Sequence, residues 1–160
     1  MRAWIIVVAA CGSPATPATL ENQAPLPAVD PGGDSIAFSR DECLDLKCPT
    51  YRAVIHRDGR VEWRGLTNVR VVGNAVGTVE ARELGTLRVA FDLARFDERN
   101  PDGRLGTSDD IHICSDGWIF TIARVQHGVR HQIEHSYHCP HDDGLEALER
   151  LLEETVAVWK

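Results

Sequence analysis

YRAVIHRDGRVEWR, residues 51–64, reads as a β-hairpin. Asp58-Gly59 offers the two positive-φ positions that a tight hairpin turn wants. On either side, Tyr51 to His56 and Val61 to Arg64 are rich in β-branched and aromatic residues, which suit a pleated surface. Working upstream, Ser35 to Arg40 alternates Ile36 and Phe38 with polar residues and adds a strand. Downstream, Val69 to Val72 suggests a third. Ile111 to Cys114 and Trp118 to Val125 flank Asp116-Gly117, which predicts a second hairpin, and Val129 to Tyr137 resumes after a break at Gly128.

Between and after these strands the apolar period changes from two to about three and a half. Over Ala81 to Ala94 it puts Leu84, Leu87, Phe91 and Ala94 on one helical face, with Gly85 and Thr86 costing some propensity. Near the C-terminus, Asp143 stands three residues before Glu146, the spacing of a capping box. There Leu145, Leu148, Leu152 and Trp159 form a buried stripe, and Glu146, Glu149, Glu153 and Glu154 are expected to face water. The class is therefore α+β: a small antiparallel sheet built from two hairpins, packed with a middle helix and a C-terminal helix. Residues 35–160 form its single domain.

The 160 residues allow one domain and a tail. Net charge is −7, which excludes the basic stripe that phosphate-tracking nucleic-acid binding needs. No later run of 18 or more apolar residues suggests a spanning helix. At the head of the chain, Arg2 precedes an apolar run from Ala3 to Ala10 that meets Cys11, and residues 1–10 read as an export signal. Val8-Ala9-Ala10-Cys11 resembles the bacterial lipobox, which implies acylation of Cys11 and a membrane partner through that anchor. Gly12 in place of Asp after the cysteine points to the outer membrane, on its periplasmic or surface face. Five prolines follow between Gly12 and Gly33, so residues 11–34 read as a lipidated cysteine and an extended spacer.

Setting Cys11 aside leaves an even four cysteines, Cys43, Cys48, Cys114 and Cys139, as expected of disulfides in an exported chain. Three pairings are open. Local closure favours Cys43–Cys48, with Cys114–Cys139 as the remainder. A zinc or redox site is the rival, but four residues separate Cys43 from Cys48 where the thioredoxin motif has two.

Cys48-Pro49-Thr50-Tyr51, then Asp58-Gly59-Arg60-Val61, a helix ending near Phe96, an Asp before the next strand and a terminal helix closing on Trp159 together resemble a bacterial family, domain of unknown function 6438. The resemblance covers about residues 35–160. It implies the fold and an envelope setting, and brings no activity or catalytic residue.

Two motifs carry candidate chemistry. ERNPDGRLGTSD, residues 98–109, matches part of a calcium loop, with Glu98, Asn100, Asp102, the Arg104 carbonyl and Asp109 as oxygen donors for Ca²⁺. HQIEH, residues 131–135, spells H-x-x-E-H, a zinc-hydrolase pattern that would use His131, Glu134 and His135 from a helix. The wider set His127, His131, His135, His138 and His141, with Cys139, reads as a solvent-facing row, a transition-metal patch or a pH-responsive surface. No G-x-S-x-G, S-x-x-K or Gly-rich phosphate loop is present. The expected function is a non-enzymatic cell-envelope lipoprotein whose domain binds an envelope protein or surface ligand, or serves structurally. A calcium module is the first alternative and a zinc hydrolase the second.

Overall fold

The computed structural model describes residues 33–41, 47–106, 118–136 and 142–160. Within them, six strands form one sheet: β1 (Ser35–Arg40), β2 (Thr50–His56), β3 (Arg60–Thr67), β4 (Gly73–Thr78), β5 (Ile119–Gln126) and β6 (Val129–Ser136). The order across the sheet is β4-β3-β2-β1-β5-β6, and every neighbouring pair is antiparallel. Helix α1 (Ala81–Leu93) joins the two halves of the sheet in sequence, and α2 (Asp143–Thr155) closes the chain. The α+β class is as expected, and the sheet is larger than two hairpins.

Register explains the core. Trp63, Ala53, Phe38, Ile122 and Ile133 lie side by side across five strands, on the face that both helices cover. Leu87, Phe91 and Ala94 from α1 and Leu145, Leu148 and Leu152 from α2 share one buried cluster with that row. Burying a side chain of this size contributes roughly 1.5–3 kcal/mol, before the entropy of ordering it is subtracted. The opposite face has a much smaller cluster of Ala37, Val54 and Ala123.

Several local expectations are corrected. Only Gly59 of Asp58-Gly59 has positive φ (89°), and Gly59 N–H donates to His56 O (2.9 Å), so the loop is the three-residue kind with a left-handed glycine at its end. The two-residue loop with both positions left-handed lies instead at His127 (φ 52°) and Gly128 (φ 76°), between β5 and β6. Val69 to Val72 is not a strand. The N–H groups of Arg70 and Val71 donate to the carbonyls of Lys160 (2.6 Å) and Trp159 (3.0 Å), so the C-terminal tail takes the donors a sheet ladder would use. The third strand of this half is β4, whose GNAVGT carries little strand signal of its own.

At α2 the cap is Asp142, not Asp143: its Oδ1 accepts from Leu145 N–H (2.9 Å). A reciprocal capping box forms at α1 instead, between Glu80 and Glu83. Ile111 to Cys114, the Asp116-Gly117 turn, Tyr137, the N-terminal signal and spacer, and Cys11, Cys43, Cys114 and Cys139 lie outside the described residues.

Candidate functional site

Two residues along the strands from the central row, Gly65, Tyr51, Arg40, Phe120 and His135 form the next row on the helix-covered face. This row meets α2, and α2 presents two carboxylates one turn apart. Glu153 Oε1 accepts from Arg40 Nη1 (2.7 Å), Tyr51 Oη (3.0 Å) and Lys160 Nζ (2.8 Å). Glu149 Oε1 lies 2.7 Å from His135 Nδ1. Glu149 and His135 are only 6% and 5% exposed, so the expectation that Glu149 faces water is wrong, and Glu153 is half-buried rather than fully solvent-facing. Position 149 falls on the inward stripe with Leu145, Leu148 and Leu152, and the helical period overrides its charge.

Burial and partners act on these groups in opposite senses. For Glu153, burial pushes the carboxyl up, but hydrogen bonding and charge from Lys160, with Arg40 and Tyr51, bring it below the usual range. Burial, then the nearby Glu153, pushes the Tyr51 phenol far up. Burial raises Glu149 more than His135 lowers it. For His135, burial pushes down, and the Glu149 hydrogen bond and charge, with Glu146 and Asp142 behind them, push it up further. The pair therefore holds a proton to higher pH than its separated members would.

The consequence for stability has a definite sign. His135 is raised on folding, so its contribution is complete below its unfolded pKa and lost as pH rises through the folded one. Glu149, also raised, acts in the same direction. Asp142 and Glu153 are lowered, so their contribution is present above the unfolded carboxylate pKa and lost as pH falls through the folded values. The melting temperature is expected to peak near about pH 4.5, the unfolded carboxylate value, to begin falling above it as Glu149 ionises, and to decline further above about pH 6.5 as His135 loses its proton. Thermal melts of Glu149→Gln should lose that alkaline decline. An identical slope in wild type and variant would contradict the assignment.

A second ionic joint fixes the end of the same helix. Arg99, 4% exposed, places Nη1 and Nη2 on the two carboxylate oxygens of Asp142 (both 2.8 Å). Its Nε donates to Ala94 O (2.7 Å) and its Nη1 also to Gly103 O (2.7 Å). One guanidinium thus ties the end of α1, the loop after it and the cap of α2. These joints hold α2 against the sheet, and of the groups that form them Arg40 Nε is buried without a hydrogen-bond partner among the described residues.

The histidine motif is not a zinc site. HQIEH lies in β6, where His131 and His135 point to the same face but are about 13 Å apart along an extended strand. The His131 ring meets Phe96 edge-on (5.2 Å between centroids), and Glu134 lies on the opposite face. His127 is in the β5–β6 turn, and His138, Cys139 and His141 lie outside the described residues. The solvent-facing row is corrected by the burial of His135.

The described part of the calcium-type loop is closed on itself. Glu98 pairs with Arg95, and Asp102 accepts from Arg104 N–H (3.2 Å) and Nε (2.6 Å). Arg104 O accepts from Asn100 N–H (2.8 Å), and Asn100 Nδ2 donates to Gly106 O (2.5 Å). Asp109 lies outside the described residues. Among the described residues, no three His, Cys, Asp or Glu side chains cluster as metal ligands.

One concave feature lies four residues along the strands from the α2 seam. There Ile55, Ile36 and Arg124 align in register, opposite Leu84, Arg88 and Phe91 of α1. The cleft encloses about 290 Å³, and Asp34, Arg57 and Val125 complete this end. Sequence reading missed it. Arg88, exposed and spaced between Leu84 and Phe91 on α1, carried no signal that sets it apart from other surface charges.

A six-stranded antiparallel sheet with two helices on one face, an ionic seam beneath the second helix and a cationic cleft beneath the first defines a small α+β domain. The chain belongs to the family described as "Domain of unknown function (DUF6438)", whose model matches residues 34–156. No curated protein and no solved structure matches it.

Proposed function

We propose that the chain is a lipoprotein of the bacterial cell envelope, held by an acylated Cys11, whose domain is a non-enzymatic binding or structural module. The observation that carries this is the layout of the chain. Val8-Ala9-Ala10-Cys11 ends an apolar run, a five-proline spacer follows, and the family domain begins at residue 34, where the spacer stops. Several acyl chains give lasting anchorage because each buried CH₂ adds about 0.8 kcal/mol. The proline-rich spacer would hold the domain off the bilayer. Gly12 after the cysteine favours the outer membrane.

Disulfide bracing belongs to the same proposal. The even four cysteines left after Cys11 suit disulfides in an oxidising compartment, with Cys48 as one member of a bridge. Cys43 is its proposed partner, with Cys114–Cys139 as the second bridge. The non-enzymatic reading is supported by the placement of the acid–base groups. His135 and Glu149 are buried against each other and do not line the cleft beneath α1.

Cell fractionation tests the proposal. Wild-type protein should sediment with membranes, and Cys11→Ser should be released into the soluble envelope fraction with its melting temperature unchanged. Recovery of the wild type from the soluble cytosol would contradict it.

A further inference from the structure

The cleft beneath α1 has a composition unlike the chain around it. Overall the protein carries a charge of −7, yet the cleft is lined by Arg57, Arg88 and Arg124 against a single carboxylate, Asp34. Below them the floor is apolar: Ile36 and Ile55 from the sheet, Leu84 and Phe91 from the helix. Arg124 is held in place, its guanidinium 5.1 Å from the centre of the Phe91 ring, paired with Asp97 and 3.8 Å from Asp92. Its buried Nε has no hydrogen-bond partner among the described residues. Arg57 is mostly exposed and only loosely paired, 3.8 Å from Asp34. Arg88 lines the cleft from an exposed position on α1, between Leu84 and Phe91, and forms no ion pair among the described residues.

An arginine beside an apolar floor without a protein carboxylate is poised for an anion from outside, because its planar fork matches a carboxylate bidentately. The floor adds a requirement that a bare anion does not meet. We propose that the cleft binds an amphiphilic carboxylate, its apolar chain on Ile36, Ile55, Leu84 and Phe91 and its head on Arg88, with Arg57 and Arg124 adding positive field. The volume, near the lower end for small-molecule sites, suits a ligand of about ten heavy atoms. This deepens the binding reading above and rests on it.

The test uses the full chain carrying Cys11→Ser, with octanoate as probe and amide chemical shifts as readout. A probe of this size is expected to bind with a dissociation constant of roughly millimolar order. Saturable shifts should appear at Ile36, Leu84, Arg88, Phe91 and Val125. Octanol (chain without charge) and acetate (charge without chain) should each bind at least about tenfold more weakly, the effect of one good polar or apolar contact. Arg88→Glu should weaken octanoate by at least the same factor, and Arg88→Gln should do so partially, both with unchanged melting temperature. Equal binding of octanol would remove the head-group recognition, and equal binding of acetate would remove the chain. Shifts elsewhere, or none, would overturn the site itself. Membrane anchoring of the wild type, read separately, would stand through any of these failures.

Discussion

Asp142→Ala is expected to cost about 3–5 kcal/mol of folding stability, because it leaves a buried guanidinium without its counter-charge. The Arg99 side chain is only 2% exposed and Asp142 32%, so water could reach the guanidinium only through the gap left by Asp142 and would replace its two hydrogen bonds without the counter-charge. The same change removes the N-cap of α2, itself worth about 1 kcal/mol. Asp142→Asn keeps the cap but not the charge and should fall between. The neighbouring Asp143→Ala is the control: it touches neither Arg99 nor the cap bond and should stay within about 0.5 kcal/mol of wild type. Urea denaturation of the four proteins reads all of this, and equal losses at 142 and 143 would contradict the joint.

Trp63→Ala should be comparably damaging, at about 3–5 kcal/mol. The indole is 2% exposed and stacked between Tyr51 (4.8 Å between centroids) and Trp159 (6.2 Å). Its Nε1 donates to Val71 O (2.8 Å). One ring therefore fills the core, holds the turn after β3 and supports the C-terminal tail. The backbone is fitted closely around it: a Cβ on Gly65 would lie 2.0 Å from Val71 O, and one on Gly77 would lie 2.2 Å from the Trp159 ring. Trp63→Phe keeps an aromatic core but leaves a carbonyl unpaired, so it should cost less than the alanine change. Denaturation with near-ultraviolet circular dichroism checks both effects. A loss below about 1 kcal/mol for Trp63→Ala would mean that the cavity collapses around the site.

The legible parts of the fold are those where one local signal acts alone. Ile36 and Phe38 marked β1 by alternation, and the strands around Gly59 announced their own hairpin. The stripe of α1 and Leu145, Leu148 and Leu152 of α2 followed from period alone, whereas Trp159, expected on the same stripe, lies past the end of α2 at Thr155 and reaches the core from the tail. What was not legible depends on a distant partner. Val69 to Val72 looks like a strand, but the N–H groups of Arg70 and Val71 are taken by residues 160 and 159. Gly73 to Thr78 lacks strand-forming side chains and is recruited by pairing with β3. Glu149 and Glu153 carry charge, so composition sends them to solvent, whereas His135, Arg40, Tyr51 and Lys160 bring them in. The same holds for HQIEH: five letters cannot specify whether the chain between two histidines is coiled or extended, and β5 makes it extended. Arg88 is an exposed charge on α1 that the sequence does not distinguish from any other solvent-facing residue, and only the fold places it at the cleft.

The envelope assignment underlies the rest, and the mass of the N-terminal peptide from protein isolated from its native membrane tests it most directly. The expected result is a peptide beginning at Cys11 and carrying two or three acyl chains. A peptide beginning at Met1, or a Cys11 without lipid, would contradict it.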